Sequence, residues 1–376
     1  MLTLREGYIT GAGAFLPGEP VGNDRMEDHL GRIDGKGSVL GKKALRWNGV
    51  EARHYAMTPD GTVVHTNADM CARAVRQALE RAGLGVGDLG MLAAASTQGD
   101  YLVPGHAAAV HAELGAGPIE IASFQSVCGS SLMAAKAAWL SVRAGEHDVA
   151  SACAGEFASR WFRPSFYEGT SLVDAKGRLR PEADFLRFTL SDGAGAIVIE
   201  PTPRPGALRI RFIDIVSLAD RFDPCMWAGA ALGTRADLHT AWAHAGPRAA
   251  HAAGAIALLQ DFELLKRVIR AWVGVYLQKV DEGRIVPAEL DWALVHDSAQ
   301  SLHEELVALL EDTAGMIPPE KWFSVLREKG NVGSASIWLM LEALLASGRV
   351  RSGQKILCVV PESGRALVGF MMLEAT

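Results

Sequence analysis

The chain has 376 residues, enough for two domains or one large α/β body at about 100–200 residues per domain. Hydrophobic residues make up 49 % and charged residues 21 %, a globular balance that excludes wholesale disorder. Against 43 Asp and Glu stand 37 Lys and Arg, a net charge of −6, so the chain has no broad basic footprint for nucleic acid and no charge-based attraction to an anionic membrane.

Five cysteines, Cys71, Cys128, Cys153, Cys225 and Cys358, are odd in number, far apart and free of CxxC pairs. That spacing argues against a disulfide framework and against a cysteine zinc site. Arg5 and Glu6 interrupt the start of the chain, so no signal peptide is expected, and no apolar run reaches the roughly 18 residues of a membrane span. A cytoplasmic setting follows as the expectation, where a lone cysteine is inert or catalytic rather than bridged.

In chain order, the pattern predicts a helix over 69–82, a strand over 91–95 and a strand-like run over 119–124. A small-residue helix over 129–144, a strand over 149–154 and a strand over 194–199 come next. Pro201 to Pro205 then reads as a linker, and a long segment, about 208–286, contains a helical apolar and charged pattern over 258–279. The remainder predicts a strand over 292–295, helices over 298–310 and 334–346, and strands over 355–360 and 366–371. Alternation of short β-rich runs with longer helices is the signature of an α/β protein.

Two stretches repeat in the same order. Gly129-Ser-Ser opens a helix to Ala144, followed by Gly145 and the strand at 149–154. Gly333-Ser-Ala-Ser opens a helix to Ala346, followed by Gly353 and the strand ending at Val360. Each half closes on a related strand, Gly195-Ala-Ile-Val and Gly364-Arg-Ala-Leu-Val. This predicts two duplicated halves, 1–205 and 206–376, with a helical insertion at about 208–286 in the second.

Three positions carry candidate chemistry. Cys128, in Ser126-Val-Cys-Gly-Ser-Ser, falls at a strand-to-helix turn, where the helix dipole and free N–H groups favour thiolate over thiol. The alternative is a buried structural cysteine, which suits Cys71, Cys153 and Cys358, inside predicted helices and strands. His296 ends the apolar run Trp292-Ala-Leu-Val, at the carboxyl edge where open α/β sheets place their sites; a hydrogen-bonded structural histidine is the alternative. His303, seven residues on, reads as packing or support. Asn331, in Lys329-Gly-Asn-Val-Gly-Ser-Ala-Ser, sits at the second helix start, where Val332 matches Cys128; taken alone it is an N-cap. Back-to-back packing of the halves would bring a thiol, an imidazole and a carboxamide into one cleft.

With these motifs together, the whole chain resembles the β-ketoacyl-ACP synthase III (KAS III) group of ketosynthases in the thiolase-fold superfamily. The resemblance implies a five-layer αβαβα fold with pseudo-twofold symmetry and a Cys-His-Asn triad of Cys128, His296 and Asn331. It also implies an oxyanion hole from the backbone N–H groups of Cys128 and Gly364, acyl-ACP or acyl-CoA substrates, no cofactor, and a homodimer. Phe124, Trp161 and Phe162 are tunnel-lining candidates, with core packing as their alternative.

A narrower resemblance rests on Phe15-Leu-Pro-Gly-Glu-Pro-Val-Gly-Asn-Asp-Arg-Met-Glu-Asp and Asn48-Gly-Val-Glu-Ala-Arg-His-Tyr-Ala. Both look like the condensing enzymes of dialkylresorcinol biosynthesis (the DarB type), which join a β-ketoacyl and an α,β-unsaturated acyl thioester into a 1,3-cyclohexanedione. Departures from the fatty-acid enzyme stand beside it. Lys43 and Trp47 replace the tryptophan and arginine that sandwich adenine, and Asp297-Ser-Ala-Gln-Ser follows His296 without the usual docking arginine. Arg349, Arg351 and Lys355 read either as a docking patch or as an ordinary solvated turn. The other activities kept open are ester- or amide-forming acyl transfer, a simple decarboxylating KAS III, and a non-catalytic partner subunit. A thiolase proper would need a second catalytic cysteine where Cys358 lies inside a strand.

Overall fold

The computed structural model describes residues 4–235, 237, 239 and 241–376. Nine strands form its main sheet: β1 (Tyr8–Phe15), β2 (Met91–Ser96), β3 (Glu120–Gln125), β4 (Ala150–Glu156), β5 (Gly193–Glu200), β6 (Leu208–Ser217), β7 (Trp292–Val295), β8 (Lys355–Glu362) and β9 (Leu367–Ala375). Their spatial order is β7-β8-β9-β6-β1-β5-β4-β2-β3. On one side of the middle, β1 pairs antiparallel with β5, β5 antiparallel with β4, and β4 parallel with β2. On the other, β6 pairs antiparallel with β9, β9 antiparallel with β8, and β8 parallel with β7. The same order thus occurs twice. The two arms join through one short antiparallel ladder, Tyr8 opposite Arg209 and Ile9 opposite Leu208.

Six helices matter for the site: α1 (Gly41–Asn48), α2 (Asn67–Arg81), α3 (Ser130–Ala144), α4 (Phe262–Asp281), α5 (Gln300–Leu310) and α6 (Ser336–Ala346). Helices α3 and α6 lie between the arms. Their Leu132, Trp139, Trp338 and Leu341 share one core with Ile197 of the first arm and Met371 of the second. Outside, α2 packs Met70 and Val75 on Leu92 and Val198, and α4 packs Val268 and Ile269 on Leu357 and Phe370. The result is five layers: helix, sheet, helices, sheet, helix. Close approach has a sequence cause in β1. A Cβ on Gly11 would lie 2.0 Å from the Ala78 carbonyl of α2, and one on Gly13 2.2 Å from that of Ala74.

Local chemistry sets the helix starts. The Thr66 side chain accepts the Asp69 amide at the start of α2, and Asp261 accepts the Leu264 amide at the start of α4. Helix α3 ends on Gly145 at φ 85°, the left-handed stop that glycine takes without strain. No helix among the described residues is long and apolar enough to cross a membrane.

The structure corrects the helical insertion expected from about 208. Residues Leu208–Ser217 are strand β6, whose first residues, Leu-Arg-Ile-Arg-Phe, alternate apolar and polar with period two. The stretch after it forms a two-strand ribbon of Met226–Trp227 with Leu259–Gln260, two short helices, and then α4.

Candidate active site

All parallel strand ends point to one place. Cys128 follows β3 and precedes α3, His296 follows β7, and Asn331 stands just before the turn that opens α6. All three line one cavity of about 80 Å³, with walls that include Val127, Trp161, Leu186, Leu190 and Trp272. Trp161 is in the wall as expected. Phe124 and Phe162 are not: Phe162 is fully buried in a separate packing cluster, and Phe124 packs on the main core.

Asn331 is fixed through its backbone and side chain. Its carbonyl accepts the Ser191 amide at 2.8 Å, and its Oδ1 accepts the Gly333 amide at 2.9 Å. The 188–192 stretch that holds it is clasped by the Asn48-Gly-Val-Glu-Ala-Arg-His motif. Asn48 and Arg53 both donate to the Phe188 carbonyl, the His54 amide donates to Ser191 Oγ, and the Asp192 amide donates back to His54. That motif is therefore architectural, and none of its residues lines the cavity.

His296 is buried, and among the described residues both of its ring nitrogens lack hydrogen-bond partners. An unsatisfied buried polar group needs an explanation, and a ring facing a substrate cavity supplies one. Burial pulls its pKa down to about 4, so at neutral pH the ring is uncharged and offers one N–H and one lone pair. His303 stands behind it: its Nδ1 meets Asp297 Oδ2 at 2.8 Å, and Asp297 lines the cavity.

Cys128 departs from expectation. Burial pushes its thiol well above the ordinary value, and the carboxylates of Glu362 and Glu156 push the same way. The helix start that was expected to stabilise thiolate is already occupied. Glu362 Oε2 accepts the Gly129 amide at 2.9 Å, and its Oε1 accepts Ser126 Oγ at 2.6 Å. A carboxylate there spends the dipole that the sulfur would use. The resting cysteine is a thiol.

Gly364 lies one residue beyond Ser363, which lines the cavity; Gly364 itself is not in the wall. Its carbonyl is held by the Cys225 amide at 2.8 Å, which fixes the peptide. Among the described residues, neither the Cys128 nor the Gly364 amide donates to another residue.

Residues 280–371 match the model of the 3-oxoacyl-[acyl-carrier-protein (ACP)] synthase III C terminal, and residues 105–204 match the β-ketoacyl synthase N-terminal domain. The chain belongs to the KAS III-like condensing enzymes. Solved structures agree on the fold over nearly the whole length. A tetronic acid condensing enzyme, AbyA1, is 22 % identical over 98 % of this chain and 99 % of its own, with a TM-score of 0.77. The 3-oxoacyl-[acyl-carrier-protein] synthase III of Aquifex aeolicus VF5 is 19 % identical over 98 % and 99 %, with a TM-score of 0.72. Cerulenin-bound OleA of Xanthomonas campestris is 21 % identical over 99 % and 97 %, with a TM-score of 0.74.

Two residues of this ketosynthase escaped the sequence reading. Glu156 ends β4 and reaches the turn before α6, while Glu362 ends β8 and reaches the turn before α3. Each arm of the sheet thus braces the helix start of the other half. The signal was present in the repeat: Glu156 lies two residues after Ala154, and Glu362 two after Val360. The surface readings also resolve. Lys43 Nζ sits 4.2 Å over the Trp47 ring, and both line an outer cleft that shares Phe185, Leu265 and Leu302 with the main cavity. Lys355 pairs with Glu289, and Arg349 covers Trp292 at 4.3 Å, as in an ordinary solvated turn.

Proposed function

We propose that this ketosynthase condenses two acyl thioesters through an acyl group stored on Cys128. The observation that carries the reading is the shared, mostly apolar cavity of Cys128, His296 and Asn331. Cys128 Sγ attacks the first thioester while the free amides of Cys128 and Gly364 hold the oxyanion, the substrate C–S bond breaks, and the carrier leaves as its thiol with the proton that the Cys128 sulfur gives up. The uncharged His296 and the Asn331 carboxamide then stabilise the enolate of the second. Acyl-ACP or acyl-CoA thioesters supply both partners, and the chemistry so written uses no further cofactor.

The finer reading is a β-ketoacyl and an α,β-unsaturated acyl thioester closing to a 1,3-cyclohexanedione, a dialkylresorcinol precursor. It is supported by the two sequence motifs described above. A homodimer is part of the proposal. Among the described residues edge strand β3 pairs with β2 alone, and Tyr101, Leu102 and Val103 nearby are all exposed, features that a second copy would cover.

The test is intact-mass analysis after incubation with acyl thioesters. A mass gain that vanishes in Cys128→Ala supports storage on that sulfur, and a gain that persists overturns it. Addition of a β-ketoacyl thioester should then release a carbocyclic product. An ester or amide formed only with an added alcohol or amine would replace this reading with simple acyl transfer.

A further inference from the structure

The geometry points to Glu156 as the catalytic base that takes the α-proton of the second thioester, an inference that rests on the two-thioester reading above. Glu156 lines the cavity beside Cys128, His296 and Asn331. Its Oε1 accepts four hydrogen bonds: from the Thr97 amide at 3.0 Å, Thr97 Oγ1 at 2.8 Å, the Ser334 amide at 3.2 Å and Ser334 Oγ at 2.6 Å. Among the described residues Oε2 accepts none, and it is not sealed away as an orphaned buried atom. One oxygen anchors the carboxyl; the other is left to the cavity. Its counterpart Glu362 has both oxygens engaged and does not line the cavity, so the two related carboxyls differ where a proton acceptor would need them to.

The other titratable groups on the cavity are poorer bases for this step. Cys128 carries the acyl group once loaded. Burial holds His296 near 4. Asp297 gives Oδ2 to His303. Burial raises the Glu156 carboxyl above its ordinary value, which strengthens it as a base at neutral pH. The groups that face it directly, Thr97 and Ser334, are uncharged.

The step balances as follows. The α C–H bond of the second thioester breaks, its proton passes to Glu156 Oε2, and its electron pair enters the enolate. The enolate carbon attacks the carbonyl carbon on Cys128, the C–C bond forms, and the C–S bond breaks with its electron pair left on sulfur. The Glu156 proton then restores the Cys128 thiol.

Glu156→Gln tests this, because the glutamine oxygen can keep the four anchoring bonds while Oε2 becomes an amide nitrogen. Cys128 acylation, read by intact mass, should persist and run no slower than in wild type, because the variant also removes a negative charge that raises the thiol. Single-turnover condensation from the acyl-enzyme should fall about a hundredfold or more, the usual contribution of a positioned base. The wild-type condensation rate should rise with pH through the carboxyl ionisation, and the variant should lose that limb. Cys128→Ala stores no acyl group but should still exchange the α-protons of a β-ketoacyl thioester into heavy water faster than buffer; adding Glu156→Gln should abolish the excess. Condensation within threefold of wild type, or loss of acylation and condensation together, overturns the proposal. Failure of wild type to acylate Cys128 would instead sink the two-thioester reading and leave the exchange result to stand alone.

Discussion

Gly364→Ala probes the proposed oxyanion turn without removing a reactive group. A Cβ at Gly364 would sit 2.9 Å from Glu362 Oε1 and 2.9 Å from Val127 Cγ2. Ordinary contact begins near 3.4 Å, so each neighbour must give by about half an ångström. Both neighbours matter. Val127 precedes Cys128, and Glu362 Oε1 holds Ser126 two residues before it. The Gly364 carbonyl is tied to the Cys225 amide, so the loop cannot simply swing away. The added methyl therefore displaces one oxyanion amide relative to the other. Loss of a single such donor costs about 10²–10³ in kcat, or about 2.7–4 kcal/mol. Overpacking costs stability too, typically about 1–3 kcal/mol. The assay is the rate of Cys128 acylation by stopped-flow thioester consumption, with a melting curve beside it. A hundredfold loss in a variant that still melts cooperatively is the expected result. Acylation within threefold of wild type would refute the oxyanion role of this turn.

Three further outcomes follow from the same geometry. Glu362→Gln removes a negative charge that raises the Cys128 thiol, so alkylation by iodoacetamide should shift to lower pH and run about tenfold faster at pH 7 for each pKa unit recovered; an unchanged or upward-shifted profile would count against the electrostatic account. Trp272, with Leu306 and Pro361, separates the main cavity from a second apolar one of about 40 Å³. Trp272→Leu should open that wall and move the preferred acyl chain longer, by up to about 0.8 kcal/mol for each methylene newly buried, which a chain-length series of thioesters would read. Gly195→Ala would set a Cβ 2.5 Å from Trp338 Cβ in α6, where neither backbone can yield, and should lower the melting temperature by several degrees, at about 2–4 °C per kcal/mol.

The strands that carry the chemistry were legible because each is a short apolar run punctuated by glycine or proline. Trp292–Val295 was predicted to the residue, and its His296 fell at the sheet edge as expected. Strand β1 was not legible. Its Tyr-Ile-Thr-Gly-Ala-Gly-Ala-Phe carries two glycines, which weaken a strand signal, and only the α2 backbone beside them explains their presence. Strand β6 alternates clearly but adjoins a segment whose helical pattern dominates. Sequence also misjudged the acidity of Cys128. A helix start alone argues for thiolate, but the carboxylate that caps this one comes from 233 residues away, and no local window contains it.

That long-range cap makes sense of the resting chemistry. A free thiolate held against a neutral imidazole would be an uncompensated buried charge, which a protein interior penalises heavily. Glu362, from β8, braces the start of α3 and Glu156, from β4, braces the turn before α6, each from the opposite half, at the cost of a less acidic sulfur. Under the proposed chemistry, substrate binding has to supply what the resting site withholds: a thioester carbonyl in the cavity would give the Cys128 and Gly364 amides their acceptor and the sulfur a carbon to attack. Reactivity is thereby coupled to occupancy. This predicts that small, non-acyl electrophiles should label Cys128 slowly at neutral pH, whereas acyl thioesters that fill the apolar cavity should acylate it rapidly. Fast labelling by iodoacetamide in the wild-type enzyme at pH 7 would show that the sulfur is a standing thiolate, and that the two carboxylates do not restrain it.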